Sequence, residues 1–358
     1  MKNREYRRSV LQNFGAGLST VTELLEYTEN VFDCSEAGSV LGDETFVATW
    51  ERYERESERV GTYRCLQDRL IQLQFPVEKG ISREAAYIAA TRQGRRPSGC
   101  RGLELNDVDG VRIEIQATPA GRIPLIITSD RSDFVRLACA LARKNEPCKI
   151  PASMGACLVA GFNNWDRVDQ HRVEWESRHA HQSWTREFRR FAAQKHLYQD
   201  SFIILSDGAY SGVAAKQMGL PDDVWRAVSL AIRREHECAH YYTRRVLGSI
   251  QNNIFDEIIA DYMGIIETAG RFRTDWFLRF MGLEMHPDYR PGGRFENYVG
   301  DLSRPAVDVL AKLVVRSAEN LERQSPCFND NAASSSEKAR LLGGLASLTL
   351  EEMACGDI

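Results

Sequence analysis

The stretch Arg234–Gly248, REHECAHYYTRRVLG, decides how the rest of the chain is read. It sets His236 and His240 four residues apart with Glu237 between them, an H-E-x-x-H arrangement. Pro221, Asp222 and Asp223 precede it, and Thr243, Arg244 and Arg245 close it before Gly248. Proline and acids in a first turn, bases in a last turn and glycine after it suit the helix dipole and helix-ending rules. A helix is therefore expected from near Pro221 to Gly248. Residues four apart on it differ by about 40° of rotation, so the two imidazoles project side by side. Neutral imidazoles so placed can hold one metal ion, and Glu237, about 100° around, can face a water there. A helix that merely carries two histidines is the alternative, and the next segment bears on the choice.

That segment, NNIFDEIIADYMGIIETAG (Asn252–Gly270), reads as a second helix. Phe255, Ile258, Ile259, Tyr262, Met263 and Ile266 recur at three- and four-residue spacing, the pattern of a buried stripe. Glu257 lies seventeen residues after His240, enough for the first helix to end, turn and run back alongside. Asp261, four residues later, shares its face. Glu257 is the candidate third ligand. Asp261 is the candidate acceptor for the far ring N–H of a ligating histidine, His236 being the nearer choice.

HECAH followed by DEIIADYMG resembles the gluzincin, or thermolysin-like, metallopeptidases, over about forty residues from Ala227 to Gly264. The resemblance implies His236, His240 and Glu257 as zinc ligands, Glu237 as general base and Asp261 as the orienting carboxylate. Ala260 and Gly264 also fit its pattern. It implies a hydrolase in which metal-activated water attacks a peptide or other amide bond. In such enzymes a Tyr, His or Arg after the third ligand assists the tetrahedral intermediate. Tyr298 is the first choice here and His286 the second, with Tyr289 and Arg294 in the same glycine-containing stretch. Zinc is the expected ion. Ferrous iron is the alternative, because two histidines and a carboxylate suit both metals. A non-proteolytic biosynthetic or tailoring enzyme that reuses this scaffold is the second functional reading.

The remaining features set bounds. The charge sum is −4, and basic pairs such as Arg95–Arg96 and Arg189–Arg190 are scattered, so no nucleic-acid stripe is expected. The first residues, MKNREYRRSVLQNFG, lack the apolar core of a signal peptide, and no run reaches membrane-spanning length. Nine dispersed cysteines without a C-x-x-C pair read as reduced thiols, which makes a cytoplasmic setting the expectation. Oligomeric state is open at this level.

The expected fold class is α+β, with a mixed region over residues 1–150 and a largely helical metal-binding region over 151–358. GVRIEIQATPAGRIPLIITSD (Gly110–Asp130) reads as a hairpin, with Val111, Ile113 and Ile115 alternating with polar residues. SFIILSD (Ser201–Asp207) reads as a strand, either the edge strand on which a peptide pairs or an interior one. SMGACLVAGFNNWDR (Ser153–Arg167) is read as a packed loop that could line a pocket. One polar helix is expected over 166–195 and another over 304–323. A last one over 337–353 would be opened by the capping pattern Ser334–Glu337.

Overall fold

A computed structural model describes residues 4–97, 99, 101–179, 182–251, 253–325 and 334–356. The fold is α+β: fifteen α-helices among the described residues surround one four-stranded mixed sheet. Its strands are β1 (Arg112–Gln116), β2 (Ile123–Thr128), β3 (Ala156–Asn163) and β4 (Gln199–Ser206), in the order β1-β2-β4-β3. The hairpin is present, with Ile113 opposite Ile126 and Ile115 opposite Pro124. β2 then pairs parallel with β4, and β4 antiparallel with β3. The sheet takes two strands from each side of residue 150, so the boundary expected there runs through one shared sheet.

SFIILSD belongs to an interior strand. Side chains along β4 alternate between faces. Ile203 and Leu205 join the core under the long helices, while Phe202 and Ile204 join a second core on the opposite face. Burial on both faces is why the strand reads as an unbroken apolar run. The second core is completed by Trp50 and Tyr53 from helix Val47–Val60 and by Phe134 and Leu137 from helix Arg131–Ala142.

The two sheet edges are β1 and β3, the latter in the stretch expected to be a loop. Its register shifts between Ala160 and Phe162. A bulge there, next to Gly161, breaks the two-residue alternation that would have marked a strand.

Two helical expectations are also corrected. The 166–195 segment forms two helices, Trp165–Arg178 and Trp184–Ala192. The last segment divides into Ser335–Ala346 and Leu350–Cys355. Ser334 and Glu337 make the expected capping box, and Thr349 and Glu352 make another, which starts the second helix. Among the described residues no helix is long and apolar enough to cross a membrane.

Two helices position the site. The motif helix runs from Asp222 to Val246, against the sheet through β3 and β4. Leu247 and Gly248 end it, the latter at φ +72°. Asn253 then caps the glutamate helix, Ile254–Ala269, by accepting from the N–H groups of Phe255 and Asp256. The two helices lie so close that a Cβ at Gly264 would stand 2.6 Å from the Ile232 carbonyl oxygen.

Candidate metal centre

Three buried side chains converge where these helices meet. His236 Nε2 and His240 Nε2 are 3.1 Å apart. Glu257 places Oε1 3.5 Å from His240 Nε2 and Oε2 3.6 Å from His236 Nε2. Three atoms each about 2.0–2.1 Å from a tetrahedral zinc would be separated by roughly 3.3 Å. The two imidazole nitrogens, 3.1 Å apart, are close to that value, and each approaches one of the two Glu257 oxygens at 3.5 or 3.6 Å.

Surrounding groups fix which ring atoms face inward. Asp261 Oδ1 accepts from His236 Nδ1 at 2.8 Å, and Asp256 Oδ2 stands 3.4 Å from His240 Nδ1. Carboxylates only accept, so His236 Nδ1 carries a proton and turns Nε2 of that ring toward His240 Nε2 and Glu257. Glu257 brings its carboxylate against both Nε2 atoms in a buried space, where positive charge is favoured. Burial alone would lower the His240 pKa, yet Asp256 and Glu257 outweigh it and hold the ring well above its ordinary value. Burial would likewise raise Glu257, but Arg294 and the two histidines keep it well below the usual carboxylate range. The pocket is built to hold positive charge, and its donor set fits a divalent metal ion.

Arg294 ties this arrangement together. Its Nη2 donates to Glu257 Oε2 at 2.6 Å and to Asp261 Oδ2 at 3.2 Å. Its Nη1 donates to the Tyr210 hydroxyl at 2.8 Å and the Ser211 hydroxyl at 3.1 Å. Tyr210 in turn donates to Asp261 Oδ1 at 2.5 Å and stands 3.0 Å from His236 Nδ1. Arg294 was only one of four candidates in its stretch, and Tyr210 and Asp256 gave no sequence signal of this role. Asp256 adjoins Glu257, and that adjacency was the one local hint.

One side of the centre opens into a cleft of about 890 Å³. Glu237 lines it, half-buried, with no hydrogen bond to any described residue. Gly155, Ala156, Cys157 and Leu158 form the facing wall. Tyr298 is brought to the cleft beside Glu257, and burial, followed by that carboxylate, pushes its phenol well up. His286 does not line the cleft. Residues after the helix Thr274–Met281 turn back on it, with Arg290 N–H donating to the Gly282 carbonyl at 2.7 Å. The chain re-enters the site only at the turn Arg294–Asn297. Tyr289 stays outside with His286, its ring against Phe295. His179 stacks on Trp175, and His181 lies outside the described residues. Cys238 is buried in the core.

The model of a family of unknown function, DUF7005, matches residues 9–357. The chain belongs to the DUF7005 family. That membership spans both the sheet and the candidate metal centre and carries no statement of activity. No curated protein and no solved structure matches the chain.

Proposed function

We propose that this DUF7005 chain is a zinc-dependent hydrolase of gluzincin type that cleaves a peptide or other amide bond. The observation that carries the reading is the set His236, His240 and Glu257 at metal-ligand spacing with Glu237 free beside them in an open cleft. A bound zinc ion supplies Lewis acidity, polarising a carbonyl and making water acidic near neutral pH.

The chain's own groups do the rest. Asp261 holds the His236 imidazole with Nε2 inward, and Asp256 stands beside the His240 ring. Arg294 holds Glu257 ionised and oriented. Glu237 takes a proton from water in the cleft and returns it to the leaving nitrogen. The Tyr298 phenol, kept protonated, is a donor for the oxyanion that develops on the carbonyl. β3 pairs with β4 alone, so its other edge is available to an extended peptide. A second cavity of about 510 Å³, lined by Cys157–Asn163, continues the cleft along that strand.

Metal analysis of protein purified without added metal tests this, with Glu257→Ala alongside. One zinc per chain is expected, lost in the variant. A screen of peptides and amides should then find hydrolysis that Glu237→Gln abolishes while keeping its zinc. One iron per chain would move the chemistry to oxygen-dependent reactions. No metal in the purified protein and none taken up on titration would overturn the reading.

A further inference from the structure

Four arginines are buried among the described residues: Arg7, Arg167, Arg233 and Arg294. Three of them pair with buried carboxylates: Arg7 with Glu351, Arg167 with Asp200 and Arg294 with Glu257. Arg233 has no ion pair, although it is only 3% exposed. Its Nη1 donates to the carbonyls of Ser206 at 2.5 Å and Gly208 at 3.1 Å, and its Nη2 to that of Ala209 at 3.2 Å. Its guanidinium lies over the Tyr210 ring, 5.5 Å from the centroid. A buried cation bonded only to neutral carbonyls is costly to keep, and burial pushes Arg233 down to about 10 against the opposing charges of Glu237 and Asp207.

A guanidinium has five N–H groups, and these bonds use three. Nε–H and the second Nη2–H have no partner among the described residues. They lie together on the edge that faces Gly155. A Cβ at residue 155 would stand 2.5 Å from Nε and 2.6 Å from Nη2, so only glycine leaves this edge uncovered. Arg233 and Gly155 both line the metal-centre cleft. On the motif helix, Arg233 is one turn before His236 and Glu237 and shares their face. Exposed Arg143 and Arg244 line the same cleft, so with Arg233 and Arg294 it carries four arginines against the two carboxylates Glu237 and Glu257.

We infer that the Nε/Nη2 edge of Arg233 receives a carboxylate of the substrate. Two parallel N–H groups match the two oxygens of a carboxylate. This rests on the cleft being the substrate site of the proposed hydrolase, and it narrows the substrate to an amide that carries a carboxylate.

The test compares N-acetylglycine with its neutral amide, N-acetylglycinamide, by calorimetry on the full chain, both metal-free and loaded with zinc. The acid should bind at least about tenfold more tightly in both forms. Arg233→Lys keeps the charge but not the fork, and should remove the preference. Gly155→Ala covers the fork while leaving the three carbonyl bonds, and should remove it too, with zinc content unchanged. Equal binding of acid and amide by the wild type, or a preference that survives Gly155→Ala, would overturn the inference. So would inorganic phosphate binding more tightly than the acid. Zinc uptake without acid preference would sink this inference alone. Acid preference without zinc uptake would sink the hydrolase reading and leave Arg233 as an anion site.

Discussion

Arg294 reaches Glu257 from thirty-seven residues further along the chain and places Nη2 2.6 Å from Oε2. The same guanidinium holds Asp261, so one buried cation fixes both the candidate ligand and the carboxylate behind His236. Removing one partner of such a pair strands the other's charge. Arg294→Ala should cost about 3–5 kcal/mol in urea unfolding. Arg294→Lys, which keeps charge but not the fork, should cost less and still weaken metal binding. A loss near zero for both would show that Arg294 is not a structural clamp.

Zinc held by this cluster should stabilise the folded protein, and chelation should take that stabilisation away. A ligand that binds only the folded state at a hundredfold over its Kd adds about 2.7 kcal/mol. Thermal unfolding after chelation should shift down and return on adding one equivalent of zinc. His240→Ala, with one ligand gone, should show little of this zinc-dependent shift. An unchanged melting temperature in the wild type would count against a folded-state metal site.

Gly264 sets the distance between the motif and glutamate helices. Gly264→Ala would drive a methyl group against the Ile232 carbonyl oxygen, at 2.6 Å, and its Cγ2, at 2.9 Å. Overpacking of this kind costs about 1–3 kcal/mol. Because His236 and Glu257 ride on the two helices, zinc affinity measured by chelator competition should fall as well. Lower stability with unchanged affinity would show that the ligand geometry does not depend on this contact.

Cys148 and Cys157 are both pushed up to about 11, chiefly by burial. Below that pH they remain thiols, and only the thiolate is alkylated. Iodoacetamide at pH 7.5 should label exposed Cys355 first, and labelling of the other two should accelerate as pH rises toward 10. Peptide mapping reads this directly. Labelling of Cys157 should also block the cleft it lines. Equal rates for all three cysteines at pH 7.5 would contradict the burial argument.

The candidate metal triad was legible in the sequence because it rests on short-range periodicity. His236 with His240, and Glu257 with Asp261, are four-residue pairs that any helix brings to one face, and one turn joins the two helices. The hairpin at β1 and β2 was legible for a similar local reason, its two-residue alternation. The clamp was not. Tyr210 and Arg294 meet Asp261 across fifty-one and thirty-three residues, and nothing local sets those approaches. Within the stretch that held Tyr298 and His286, the chain's return at Arg294–Asn297 selected Tyr298 and Arg294 for the cleft and left His286 outside it.

Strand position divides in the same way. The unbroken apolar run of β4 states that both its faces are buried, and it cannot state which neighbours cover them. The bulged, glycine-bearing β3 hides its own alternation, so its place at the sheet edge beside Glu237 follows only from pairing with β4. Helix faces depend on backbone geometry that each residue shares with its neighbours. The sheet order, the arginine clamp and the open fork of Arg233 depend on contacts between distant segments. Sequence alone therefore determined the donor set of this protein, and tertiary packing determined what surrounds it.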